Sequence, residues 1–174
     1  MPLPFSNSFE KKRDQVMVVD LGAKVTKAVH ISRKANGFTL NGFALVDAPV
    51  FDKGSIVARL AEHLKAVVQV LNVRVRPVSL AVGVDSSLLR HADMPLVTAH
   101  DMRQMLKFSS KNYLQQDLSD CVFDVHALPS GPARPDAAKG GNPKARVLVG
   151  AAKRQVVEDL QEAAEEAGLV ADQI

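Results

Sequence analysis

The chain has 174 residues, 47% of them hydrophobic, which is enough to bury a core in one domain or two small ones. Its 22 basic and 19 acidic side chains leave a net charge of only +3, and aromatics are 5%, so the basic, aromatic-rich face of a nucleic-acid binder is missing. No apolar run, Val78–Val84 included, approaches the roughly 20 residues of a membrane span; the start Met1-Pro2-Leu3-Pro4-Phe5-Ser6-Asn7 lacks a secretory layout, and the single Cys121 excludes an internal disulfide, so a soluble, cytoplasmic protein without membrane insertion is expected.

Residues 1–14 are polar and without period, and read as a flexible leader. Gln15–Asp20 is a short apolar run that ends in a carboxylate before Gly22, as a buried strand entering a turn does. Thr26–Ser32 and Phe38–Leu45 are strand-like and are joined by Lys34-Ala35-Asn36-Gly37, whose Asn-Gly pair favours a tight hairpin. Three consecutive antiparallel strands follow. Gly54-Ser55 opens a helix with Ser55 as cap, and Ile56, Leu60, Leu64, Val67, Val68 and Leu71 recur at helical spacing. Pro77 ends the connection, and Val78–Val84 reads as a buried strand. Residues 15–85 therefore form a β-β-β-α-β unit.

The pattern restarts near Ser86 and gives a β-α-β-β-α unit over residues 86–168. Leu88–Pro95 reads as a strand. Thr98 with Asp101 makes a capping box for a helix whose face carries Met102, Met105, Leu106, Ser109 and Tyr113. Ser119–Leu128 alternates as a half-buried strand, with Cys121 turned inward beside Phe123 and Val125 as a small apolar residue rather than a nucleophile. Pro129–Pro143 holds four prolines and reads as a mobile loop. Ala145–Ala151 is a strand. Gln155–Ala167 is a helix with Val156, Val157, Leu160, Ala163, Ala164 and Ala167 inward, and Gly168 stops it. Residues 169–174 start a return strand where the chain ends.

The sequence contains no P-loop, no G-x-G-x-x-G and no G-x-S-x-G, and its five histidines, His30, His63, His91, His100 and His126, show no metal-ligand spacing and should lie mostly at the surface. One segment carries chemistry. In Asp20-Leu21-Gly22-Ala23-Lys24-Val25-Thr26-Lys27 a buried strand turns sharply into the next. Such a turn can aim backbone N–H groups at an anion, with Gly22 permitting close approach, Lys27 adding charge and Asp20 holding Mg²⁺ through water. From the octapeptide alone, a hairpin whose Asp and Lys are simply solvated is the favoured reading.

The segment resembles the first phosphate-binding hairpin of the actin-like ATPase superfamily, whose pattern is Asp-x-Gly-[Ser/Thr] with a nearby lysine. The stretches VVDLGAKVTKAVHISRKANGFTLNGFAL, VSLAVGVDSSLLRHADMPL and ARVLVGAAKRQVVEDLQEAAEEAGL are similar, in this order, to type IV pilus assembly proteins of the PilM kind. The resemblance implies a mixed α/β, actin-like (ribonuclease H-like) subdomain, partial, with an inserted β-α-β-β-α subdomain. It implies a cofactor-binding set of Asp20, Gly22, Ala23, Lys24 and Lys27, with ATP and Mg²⁺ bound only by a longer form. Ala23, Lys24 and Val25 replace residues that are small or hydroxyl-bearing in the family, and each lost charge-assisted hydrogen bond to phosphate is worth roughly 1–3 kcal/mol. Tight binding is not expected here, and no catalytic residue is assigned. The implied role is a scaffold on the cytoplasmic side of an inner membrane, holding the cytoplasmic peptide of a PilN-like protein, with self-association through uncovered edges. An FtsA-like division scaffold and an ATPase or sugar kinase of the same superfamily are the alternatives.

Overall fold

The computed structural model describes residues 14–35, 37–51, 55–83, 85–129 and 144–174. The expected leader and the Pro129–Pro143 loop lie almost wholly outside the described residues, as do Asn36, Gly54 and Val84. Two compact units result: the described residues up to Ala81 with Ala163–Ile174, and Val82–Glu162.

In the first unit β1 (Gln15–Leu21), β2 (Val25–Lys34) and β3 (Gly37–Asp47) form an antiparallel meander. Gly37 stands opposite Lys34 with φ +148°, a backbone state that costs a residue without Cβ little. α1 (Ile56–Leu71) begins at Ser55, whose hydroxyl accepts the Ala58 N–H. It ends on Asn72 in the left-handed region (φ 51°), with Asn72 N–H bonded to Gln69 and Val73 N–H to Val68. This is the two-bond closure that satisfies orphan carbonyls. β4 (Pro77–Val82) follows, and β8 (Val170–Gln173) pairs with it in parallel. The sheet order is β3-β2-β1-β4-β8, so the closing segment is a seated strand rather than one reaching for an absent sheet.

Alternation gives this sheet one thoroughly buried face. Register sets Val19, Ala28 and Ala44 side by side, all buried, and α1 packs on β2 and β3 of that face with Leu71 beside Gly42. Leu64 and Val67 of α1 are fully buried, each contributing about 1.5–3 kcal/mol of apolar burial.

The second unit runs β5 (Ser87–Pro95), α2 (Ala99–Leu114), β6 (Cys121–Ala127), β7 (Lys144–Lys153) and into α3 (Arg154–Glu166), with antiparallel sheet order β5-β7-β6. α2 packs on β5 and β6, and Met94, Met102, Leu106, Val125, Val147 and Val149 form its core. Thr98 caps α2 by accepting the Asp101 N–H. The expected α2 face needs one correction. Ser109 leaves helical geometry (φ −144°, ψ 35°), which re-phases the stripe, so Ser110 rather than Ser109 is buried. Its hydroxyl accepts the Leu118 N–H at 3.2 Å. α2 closes on Gln115 at φ 55°, and α3 on Gly168 at φ 75° with Leu169 N–H bonded back to Ala164. Cys121 faces the core but is only half-buried, and desolvation raises its thiol pKa, which favours the protonated form over the thiolate.

Candidate functional site

The β1–β2 turn holds all five residues singled out for phosphate. Antiparallel register places Asp20 directly opposite Lys27, and the ammonium Nζ lies 3.1 Å from Asp20 Oδ2. Both side chains are substantially exposed, so the pair contributes less than about 1 kcal/mol. Each already answers the other's charge. Gly22 is required by the turn itself: a Cβ there would stand 2.6 Å from the Val25 carbonyl oxygen. Its N–H points back to the Asp20 carbonyl at 3.2 Å. Ala23 and Lys24 are exposed at the tip, and the Lys24 carbonyl accepts the Ala48 N–H. The structure thus brings the five residues together at one exposed strand end.

As a phosphate cradle the turn is poorly equipped. Residues 23–25 carry no hydroxyl, the Gly22 amide is spent inside the turn, and Lys27 must leave Asp20 to meet an anion. For Mg²⁺, Asp20 is the carboxylate the turn offers, and no group of three or more His, Cys, Asp or Glu side chains among the described residues is placed to hold a metal ion. The residues present do not by themselves fit a tightly held nucleotide–metal pair.

Behind the turn lies a contact that sequence reading missed. Thr26, 1% exposed, bonds through Oγ1 to His63 Nε2 of α1 at 2.7 Å, and His63 itself is 8% exposed. This joins α1 to the residue beside Lys27. The signal was present: His63 falls between Leu60 and Leu64 on the buried stripe, so it is a core histidine and not a surface one.

In the second unit, Met102 and Leu106 are consumed by the core, while Met105 and Tyr113 are partly buried against it. The exposed apolar groups lie elsewhere, at Leu96 and Val97 before α2, at Leu89 and Val122 on the sheet, and at Phe108, whose ring sits 5.7 Å from Lys107 Nζ. Two ion pairs fix α2: Arg103 to Asp124 at 2.6 Å and Lys111 to Asp117 at 2.9 Å. Lys111, with the Ser119 amide, holds the exposed Asp117 carboxyl at a pKa of about 2, and Arg103 lowers that of Asp124. A shallow depression of ≈ 320 Å³ is lined by His91, Ala92, Asp93 and Arg146. No buried side-chain polar atom among the described residues lacks a partner, and none of the described helices is long and apolar enough to cross a membrane.

The profile of the family described as "Type IV pilus assembly protein PilM" matches residues 18–174. The structure is similar to a solved PilM–PilN type IV pilus biogenesis complex, with TM-score 0.72 and 23% identity over 91% of this chain and 46% of that one. It is also similar to the cytoplasmic domain of EpsL, an inner membrane component of the type II secretion system of Vibrio cholerae, with TM-score 0.57 and 14% identity over 91% of this chain and 55% of that one. The chain spans about half the length of each of these structures. No curated protein matches. At these identities the likeness shows the fold, which is mixed α/β and actin-like with an inserted subdomain.

Proposed function

Since the chain belongs to the PilM family of type IV pilus assembly proteins, we propose that it is a non-catalytic scaffold that holds the cytoplasmic peptide of an inner-membrane protein. The observation that carries this reading is the similarity to PilM in complex with PilN across 91% of the chain. The site geometry supports the non-catalytic part. Phosphoryl transfer needs charge stabilisation from several sides, and the β1–β2 turn offers one carboxylate and one lysine that neutralise each other. The protein then works on the cytoplasmic face of the membrane through its partner, and nucleotide binding by these residues alone is weak.

A peptide partner would dock as an added strand or in a groove beside the second unit, using backbone pairing and a few apolar anchors. Titration of the cytoplasmic tail peptide of a PilN-type protein, followed by NMR, should shift amides within residues 86–128. Saturable shifts confined to other residues, or none at all, would sink the reading. Calorimetry with Mg-ATP should show no tight binding. ATP turnover that vanishes in Asp20→Ala would overturn the non-catalytic assignment.

A further inference from the structure

The sheet of the second unit has two edges, β5 and β6, and they differ in how their backbone groups are engaged. One step beyond the Ala127–Val147 pair, Leu128 N–H donates to the Arg146 carbonyl at 2.9 Å, which fixes the alternation along β7. Arg146, Leu148, Gly150 and Ala152 turn their backbone groups to β6, and Ala145, Val147, Val149 and Ala151 turn theirs to β5. By register, Leu88, Arg90, Ala92 and Met94 answer the second set. Ser87, Leu89, His91 and Asp93 therefore direct their N–H and C=O groups outward.

The β6 edge is engaged from within. The outward amide of Cys121 donates to the Leu118 carbonyl, and that of Val125 donates to Asp124 Oδ1 at 2.7 Å. The same oxygen accepts Arg103 Nε of α2 at 2.6 Å. On β5 only the flanks are covered: the Leu89 carbonyl accepts Arg90 Nη1, and the Pro95 carbonyl accepts the Val97 N–H. Between them, the backbone groups of His91 and Asp93 have no partner among the described residues. The shallow depression lined by His91, Ala92, Asp93 and Arg146 lies on this stretch. An edge bare in this way is a template for a further strand.

We propose that β5 takes an extended segment of another protein as a further antiparallel strand, one that sets basic, apolar, polar, acidic and apolar residues opposite Asp93, Ala92, His91, Arg90 and Leu89 in turn. Main-chain pairing supplies the affinity of such strand addition, and the side chains on the two faces supply its selectivity. Directly opposed residues attract when their charges differ or when both are apolar. Arg90, His91 and Asp93 are exposed, and Leu89 is an uncovered anchor at 57% exposure. A second copy of β5 does not meet this pattern. Antiparallel pairing joins outward residues to outward ones, so odd positions meet odd and even meet even. Arg90 then never faces Asp93; it meets Leu88, Ala92, Met94 or another Arg90. The segment is defined by β5 alone and need not be the tail peptide of the scaffold reading.

A capped synthetic peptide of that pattern, titrated into the 174-residue chain and followed by NMR, tests this. The amides of Leu89, His91 and Asp93 should shift saturably and exchange more slowly with solvent. Interchanging the acidic and basic residues of the peptide should weaken binding at least about tenfold. The double variant Arg90→Glu/Asp93→Arg, at exposed positions and with unchanged circular dichroism, should reverse that preference. His91→Pro removes an outward N–H without touching the ladder and should abolish binding, whereas Ala127→Pro, the same edit on the β6 edge, should leave it intact. Peptide shifts that fall on β6 instead, or none at any concentration, overturn the proposal. So does equal affinity for the two peptides, or a preference that the double variant leaves unchanged. Slow exchange at Leu89, His91 and Asp93 before any peptide is added assigns the edge to another part of the protein or to a second copy, and overturns it too.

Discussion

Thr26→Val exchanges a hydroxyl for a methyl in a side chain that is 1% exposed and leaves its volume nearly unchanged. What it removes is the 2.7 Å partner of His63 Nε2. A buried polar group orphaned in this way costs about 1–3 kcal/mol. His63→Phe orphans the threonine hydroxyl instead and should cost a similar amount. The double variant removes both partners and should recover about 1 kcal/mol or more relative to the sum of the singles. Native-state hydrogen exchange on β1 and β2 amides reads the first unit alone, which matters because two units need not unfold together. Burial lowers the pKa of His63 below 6.5, so the unfolded chain binds its proton more readily than the folded one. The contribution is complete above about pH 6.5 and declines as pH falls towards the lower folded value. His63→Phe should remove that slope. A loss below about 0.3 kcal/mol for Thr26→Val, or an unchanged slope in His63→Phe, refutes the account.

Gln115→Gly should stabilise the second unit by about 0.5–1 kcal/mol, because φ 55° strains a side chain and not a glycine; the near-ultraviolet signal of the single tyrosine, Tyr113, reports the melt. Gly22→Ala should lower the stability of the first unit by about 1–3 kcal/mol and displace the Asp20 and Lys27 resonances, since the new Cβ meets the Val25 carbonyl at 2.6 Å. Acid should loosen the second unit. Asp117 and Asp124 have folded pKa values below the ordinary 3.8, so their contribution is full above that value and, for Asp117, is lost as pH falls towards about 2. Asp117→Asn should flatten that part of the acid limb in Tyr113 fluorescence.

Local rules explain which parts of the molecule could be read from residues. The meander, α1 and the capping at Ser55, Thr98 and Gly168 follow from alternation, helical spacing and cap chemistry that act within a few residues. The kink at Ser109 does not, and the neighbouring Ser110 hydroxyl accepts the amide N–H of Leu118, eight residues on, a partner that no local rule names. Likewise His63 reads as polar until the buried stripe around it is weighed, and its partner Thr26 is 37 residues away. The placing of β8 beside β4 joins residues more than ninety apart, beyond any periodicity. At the β1–β2 turn the composition of the site was legible, Asp20, Gly22 and Lys27 included. Its inward Gly22 amide and its self-neutralised charge belong to the geometry and not to the letters.

The parallel pairing of β4 with β8 has a consequence for synthesis. Every residue of Val82–Glu162 leaves the ribosome before Val170–Gln173 does. The ladders of β7 with β5 and β6 can therefore zip while β4 is still an outer edge with bare amides and carbonyls. The least local strand pairing forms last, after the slow loop closure it depends on has been shortened by a folded insert. The time needed to synthesise Val82–Glu162 and α3 sets how long a nascent chain displays that open edge to its neighbours on the same message.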